Sequence, residues 1–164
     1  MWGDCVNRTE LLITQFYKSI KIVNPNHLSI TNISDRLDLS VVYWGRSSAF
    51  VELDGVCKVL INSELNDRCK WQHFGHEMSH YFSDRNRSVS HKYYVDYCEA
   101  KADYFAYHFC IPTFMLAELK GVDVYDIMNL FNVEFDFAIR RMEMYKSQII
   151  RKGNNCVLFS EGTR

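Results

Sequence analysis

The sequence is poor in the residues that punctuate or staple a chain. Only Pro25 and Pro112 occur among 164 residues, with seven glycines, so no proline-rich or glycine-rich linker divides it. No apolar run approaches the roughly 18 residues that a membrane helix requires. The stretch from Met1 to Glu10 carries Asp4, Asn7, Arg8 and Thr9 among few apolar residues. It lacks the basic start and apolar centre of a secretory signal, so the cytosol is the expected compartment. Charge of one sign is lacking as well: 19 basic residues face 20 acidic ones, for a formal charge of −1. That balance gives no global attraction to nucleic acid or to an anionic membrane. The six cysteines, at 5, 57, 69, 98, 110 and 156, include no CxxC pair, which argues against a structural zinc cluster or a redox motif. They are expected as free, mostly buried thiols.

What the chain has in quantity is apolar and aromatic surface, 48% and 15% of its residues. A single domain of this size buries a real core. Leu12, Ile13, Phe16 and Ile20 recur at helical spacing between Thr9 and Ile22, and Ile30, Ile33 and Leu37 do so from Ser29 to Leu37. Val41 to Trp44 is β-branched and aromatic and reads as a strand. Ala49–Leu53 and Val56–Ile61 flank Asp54-Gly55, a dipeptide that favours the positive φ values of a tight hairpin. A helix is expected from Asn66 or Asp67 to about Phe82, a loop from Ser83 to Ser90, and a helix from about Asp96 to Cys110 that stops near Pro112. Leu116 to Arg151 is helical again, with breaks near Gly121 and Asn132, and the chain after Gly153 is expected to be loose.

The residues that carry chemistry lie on two of these helices. His76-Glu77-Met78-Ser79-His80 is an HExxH motif. Residues four apart on a helix lie one turn apart on one face, so both imidazoles can converge on one ion. Glu77, one step around, can reach a metal-activated water without binding the metal. A catalytic tetrahedral site needs a third protein ligand and one open position. Glu99 is the best candidate. It flanks the apolar stripe of Cys98, Ala102, Phe105 and Phe109, and Asp103 follows one turn later, placed to accept the free N–H of a ligating histidine. His108 is nine residues from Glu99, about 180° around the helix, and points elsewhere. His73, one turn before His76, could line the site, but it is expected as a packing or hydrogen-bonding residue. His91, Tyr93 and Tyr94 are candidate contacts to an oxyanion or substrate.

HExxH followed by Glu99-Ala100-Lys101-Ala102-Asp103-Tyr104-Phe105-Ala106 and closing at Ile111-Pro112 resembles the ImmA/IrrE family of metallopeptidases. The resemblance covers roughly residues 10 to 145, including the helix-to-strand passage from Ile30 to Tyr43 and Val59-Leu60-Ile61-Asn62 before the motif helix. One departure is His73-Phe74-Gly75, where the family usually has small or apolar residues. The resemblance implies an α+β fold with a zincin-like, thermolysin-type core. In that core a small, mainly antiparallel sheet packs on helices that include the HExxH helix. This core spans 1–115, followed by a helix-turn-helix-like segment at 116–152 packed on the same domain and a tail at 153–164. It also implies one zinc per chain on His76, His80 and Glu99, with Glu77 as base and Asp103 behind a ligand. The implied substrate is a helix-turn-helix repressor of a phage or mobile element, cleaved or inactivated by the chain.

Two other readings compete. Ile127, Leu130, Val133 and Ile139 have helix-turn-helix spacing, with Arg140 and Arg141 following, which would suit a DNA-binding regulator. Glu134, Asp136 and Glu143 on the same helix would repel phosphates, so nucleic acid is not the expected partner. A zinc-containing module that sequesters a repressor without cutting it would use the same ligands, although it would not need Glu77. Finally, Val56–Ile61, if it forms a sheet edge, could align an extended substrate by backbone pairing.

Overall fold

A computed structural model describes residues 7–83 and 92–160 (92–95 and 152–160 as backbone only), and within them the chain forms seven α-helices and one three-stranded sheet. Helix α1, Arg8–Ser19, starts at Asn7, whose side chain accepts the Thr9 N–H at 3.0 Å. A short 3₁₀ turn at Pro25–His27 leads to α2, Ile30–Leu37, capped by Ser29 and ended by Asp38 in the left-handed region at φ 51°. Strands β1 (Ser40–Trp44), β2 (Ala49–Leu53) and β3 (Val56–Asn62) follow. Asp54 and Gly55 take φ values of 52° and 77°, the pair of positive values that a two-residue hairpin between β2 and β3 demands.

The order in the sheet is β1-β3-β2. β2 pairs β3 antiparallel, with Phe50 opposite Val59, while β1 pairs β3 in parallel, with Tyr43 opposite Ile61. The sheet is therefore mixed rather than mainly antiparallel. Its centre is β3, paired along both edges, so the expectation that Val56–Ile61 offers a free edge to substrate is overturned. Hairpin partners are neighbours in sequence, but β1 reaches β3 across the whole hairpin, and no local signal announces that contact.

Helix α3, Asp67–Phe82, packs on the inner face of the sheet, where Val59 and Ile61 are fully buried. Its cap, Asn66, accepts the Cys69 N–H at 2.8 Å. Helix α4, Lys92–Cys110, begins earlier than Asp96 and runs antiparallel to α3, with Phe105 against Phe82 and Phe109 against Trp71. The core between them is aromatic. Phe16 and Tyr17 of α1 close it on Phe82 and Phe109 at centroid distances of 4.9 and 5.3 Å. The Tyr17 hydroxyl donates to the Phe109 carbonyl at 2.8 Å, which satisfies the polar end of this buried ring.

After Pro112 come α5 (Thr113–Leu116), α6 (Val124–Leu130, with an Asp123–Asp126 capping box) and α7 (Phe135–Ser160). Asn132, at φ 52°, makes the expected break. Helix α7 continues past Gly153 to Ser160, where a loose tail is expected from sequence. Cys57, Cys69 and Cys98 are free and half-buried, and Cys110 is free and buried. Among the described residues no helix is long and apolar enough to cross a membrane.

Candidate metal centre

The two motif helices meet at Gly75. A Cβ built there would lie 2.7 Å from the Cys110 Sγ and 3.6 Å from the Ala106 Cα, closer to sulfur than any side chain allows. Glycine lets α3 and α4 approach, and that approach brings the two motifs together. The family departure at His73-Phe74-Gly75 thus contains the residue that closes the helix pair.

From the residue after Gly75 onward the polar groups converge. His76 Nε2 lies 3.2 Å from Glu99 Oε2, and His80 Nε2 lies 4.0 Å from Glu99 Oε1. One ligand atom from each of the three residues falls within a span of 4.8 Å. Donors placed about 2 Å from one ion at tetrahedral angles sit roughly 3.3 Å apart, so the three side chains could hold a metal ion after a small inward shift. His76 Nδ1 lies 2.9 Å from Asp103 Oδ1. With Asp103 ionised, Nδ1 carries the proton and Nε2 keeps its lone pair for an ion. Burial, and then the neighbouring His76, lower the His80 pKa against the pull of Glu99. The neutral imidazole that results is the ligating form.

Glu77 sits beside this cluster and is 7% exposed. Burial raises its pKa, with a smaller push from Glu99, while His76 and a hydrogen bond from the Phe50 backbone N–H oppose the rise. The bond to Phe50 ties Glu77 to β2, one of the two edge strands of the sheet.

The centre opens into a cleft of about 530 Å³ whose walls include His73, His76, Glu77, Glu99 and Asp103. Here His73 lines the site, and burial with the nearby His76 lowers its pKa despite Asp103. His91, Tyr93 and Tyr94, the sequence candidates for oxyanion or substrate contacts, lie outside the described side chains. His108 is remote and 3% exposed, with Nδ1 3.5 Å from Glu10 Oε1. Sequence reading missed Tyr107 and Phe137, which also line the cleft. Tyr107 follows Asp103 by four residues, so helical spacing alone could have flagged it. Nothing local could have flagged Phe137, which arrives on α7.

Residues 53–143 match the model of the peptidase M78 family, described as the IrrE N-terminal-like domain. The chain is similar to the phage-like element PBSX protein XkdA of Bacillus subtilis (strain 168), 29% identical over 150 residues, spanning 88% of this chain and 76% of that one. It is also similar to the uncharacterized protein YqaB of the same strain, 30% identical over 139 residues and 81% of each chain. The chain belongs to the IrrE N-terminal-like domain family of peptidases.

Proposed function

We propose that this chain is a zinc-dependent endopeptidase of narrow specificity with a zincin-like core, which inactivates a helix-turn-helix repressor of a phage or mobile element. The observation that carries the reading is the convergence of His76, His80 and Glu99 within 4.8 Å, with Asp103 behind His76 and Glu77 alongside. A zinc ion held by those three residues would bring the pKa of a water toward neutrality and polarise a peptide carbonyl. Asp103 keeps the His76 ring oriented with its proton on Nδ1. Glu77, held by the Phe50 N–H, takes the proton of the attacking water and returns it to the departing amine. The aligning role first considered for β3 passes to β2. An extended substrate would pair along the outer side of β2, next to Glu77. Hydrogen exchange tests that role: peptide bound to a Glu77→Gln chain should protect amides of Ala49–Leu53, and unchanged exchange there would remove it.

Two features support peptidase over DNA-binding regulator. Arg141, one of the two cations that suggested DNA contact, is 0% exposed, and Arg140 pairs with Glu143 at 3.4 Å. The repressor as target is supported by the similarity to a phage-element protein. Co-expression with the repressor of the same element is the test. Wild-type chain should lower repressor level or release defined fragments, and Glu77→Gln should do neither. Equal derepression by both would establish the sequestering module instead.

A further inference from the structure

The two edges of the sheet are not alike. β2, at one edge, carries Glu52, whereas β1, at the other, reads Ser40-Val41-Val42-Tyr43-Trp44 and holds no charge and no proline. Charges and prolines are among the devices that keep an edge strand from pairing with another chain. Without them, Val42 and Tyr43 stand 40% and 52% exposed. The backbone of β1 also has bonding capacity to spare. Its Trp44 carbonyl accepts the Ser63 N–H at 2.8 Å, on the side of β3. In a strand the N–H and C=O of one residue point the same way, and successive residues alternate. Ser40, Val42 and Trp44 therefore bond toward β3, while Val41 and Tyr43 present their N–H and C=O groups at the open edge.

The charges nearest β1 in sequence stand at its two ends, Asp38 two residues before it and Arg46 two residues after it. Both are exposed, and neither has an ion-pair partner among the described residues. The Arg46 guanidinium lies 6.0 Å from the centre of the Trp44 ring, which keeps its charge at the end of the strand. Val42 is midway between the two charges. Antiparallel pairing of two β1 strands about a two-fold axis at Val42 sets Asp38 of each copy against Arg46 of the other, Ser40 against Trp44, and Val41 against Tyr43. The same axis suits the backbone. Val41 and Tyr43 are the outward-bonding residues, and they fall opposite one another as hydrogen-bonded pairs, with Val42 facing its own copy in the closer, non-bonded kind of pair. Moving the axis by one residue takes Asp38 away from Arg46. We propose that β1 is a self-association edge, where two copies of this chain join their sheets into one of six strands in the order β2-β3-β1-β1-β3-β2. Such a contact uses the same strand from both copies and closes at two, which leaves no β1 edge open. Both β2 edges stay at the far ends of the joined sheet, so the pairing stands whether or not the chain cuts peptide.

Light scattering on the full chain in reducing buffer, from about 1 to 200 μM, tests it over the range suited to a small interface. The wild-type chain should pass from monomer to dimer. Arg46→Glu and Asp38→Lys each set like charges against one another at both ends of the pairing, and each should weaken the dimer by about tenfold. An equimolar mixture of the two variants again meets opposite charges at both ends and should dimerise within about threefold of wild type. Val42→Lys, on a half-exposed residue, sets like charges on the axis itself and should leave monomer throughout. Far-UV circular dichroism of each variant should match wild type. A wild-type chain that stays monomeric over the whole range would overturn the proposal. Dimers indifferent to all three substitutions would place the contact elsewhere, and a mixture no more dimeric than its separate parts would refute the pairing about Val42.

Discussion

Asp103 would act on a bound metal without touching it. By accepting at 2.9 Å from His76 Nδ1 it decides which nitrogen faces Glu99 and His80. Ligand and support should therefore separate in titration. Purified wild-type chain is expected to hold one zinc, measured by elemental analysis, and Glu99→Ala to lose it. Asp103→Ala should keep the metal with about 10–100-fold weaker affinity, read by competition with a chromophoric chelator. Full zinc in Glu99→Ala would mean that another residue completes the set. These residues were legible in sequence because each pair is local: four positions on one helix for His76 and His80, four on another for Glu99 and Asp103. The link between the helices was proposed from the need for a third ligand and from Glu99 flanking an apolar stripe, and the family resemblance implied it as well. Phe137 was legible by neither route, since its place depends on how the α6–α7 turn docks on Gln72 and Asn66.

Among the elements, the contact of α3 with α4 governs whether the two motifs meet at all. Gly75→Ala would place a methyl 2.7 Å from the Cys110 Sγ. Cys110 is fully buried and its side chain is short, so the helices must part. Overpacking of this kind costs about 1–3 kcal/mol, against a gain of about 1 kcal/mol from replacing glycine within a helix. The expected sign is destabilisation, with weaker zinc binding because His76 follows Gly75 directly and Glu99 lies on the helix that must move. In a Cys110→Ala background the obstacle is gone and only the helical gain remains, so Gly75→Ala should become neutral or stabilising there. A double-mutant cycle on urea midpoints measures the difference, and equal effects in both backgrounds would show that sulfur is not the obstacle. Element types read well from the chain because period and caps are local properties. Sheet order did not, because β1 joins β3 across an intervening hairpin and its apolar pattern suits an edge or a centre equally. Past Gly153 the composition suggested a loose tail, yet the turns of α7 continue to Ser160.

Across the whole molecule, the first and last helices are joined by charges that the core encloses. Glu10 on α1 accepts from Thr113 and, at 2.6 Å, from Gln148 on α7. Arg141 donates to Thr113 Oγ1 at 2.7 Å and to the Ile111 carbonyl at 3.1 Å. His108 lies among them at 3% exposure, and neither of its nitrogens has a hydrogen-bond partner among the described residues. Glu10 is 3.5 Å away, but Arg141 already answers its charge. Burial first, and then repulsion by Arg141, lower the His108 pKa to about 3. In the unfolded chain the imidazole titrates near 6.5. Between these values the unfolded state binds the proton and the folded state does not, so folding loses stability as pH falls from about 6.5 toward 3. His108→Gln, uncharged at every pH, removes this contribution. Urea midpoints at pH 7 and pH 4.5 should therefore fall further for the wild-type chain than for the variant. The comparison is made in chelator, since zinc release also takes up protons. Equal falls would mean that His108 is protonated in the folded chain, which the Glu10 carboxylate would then have to stabilise.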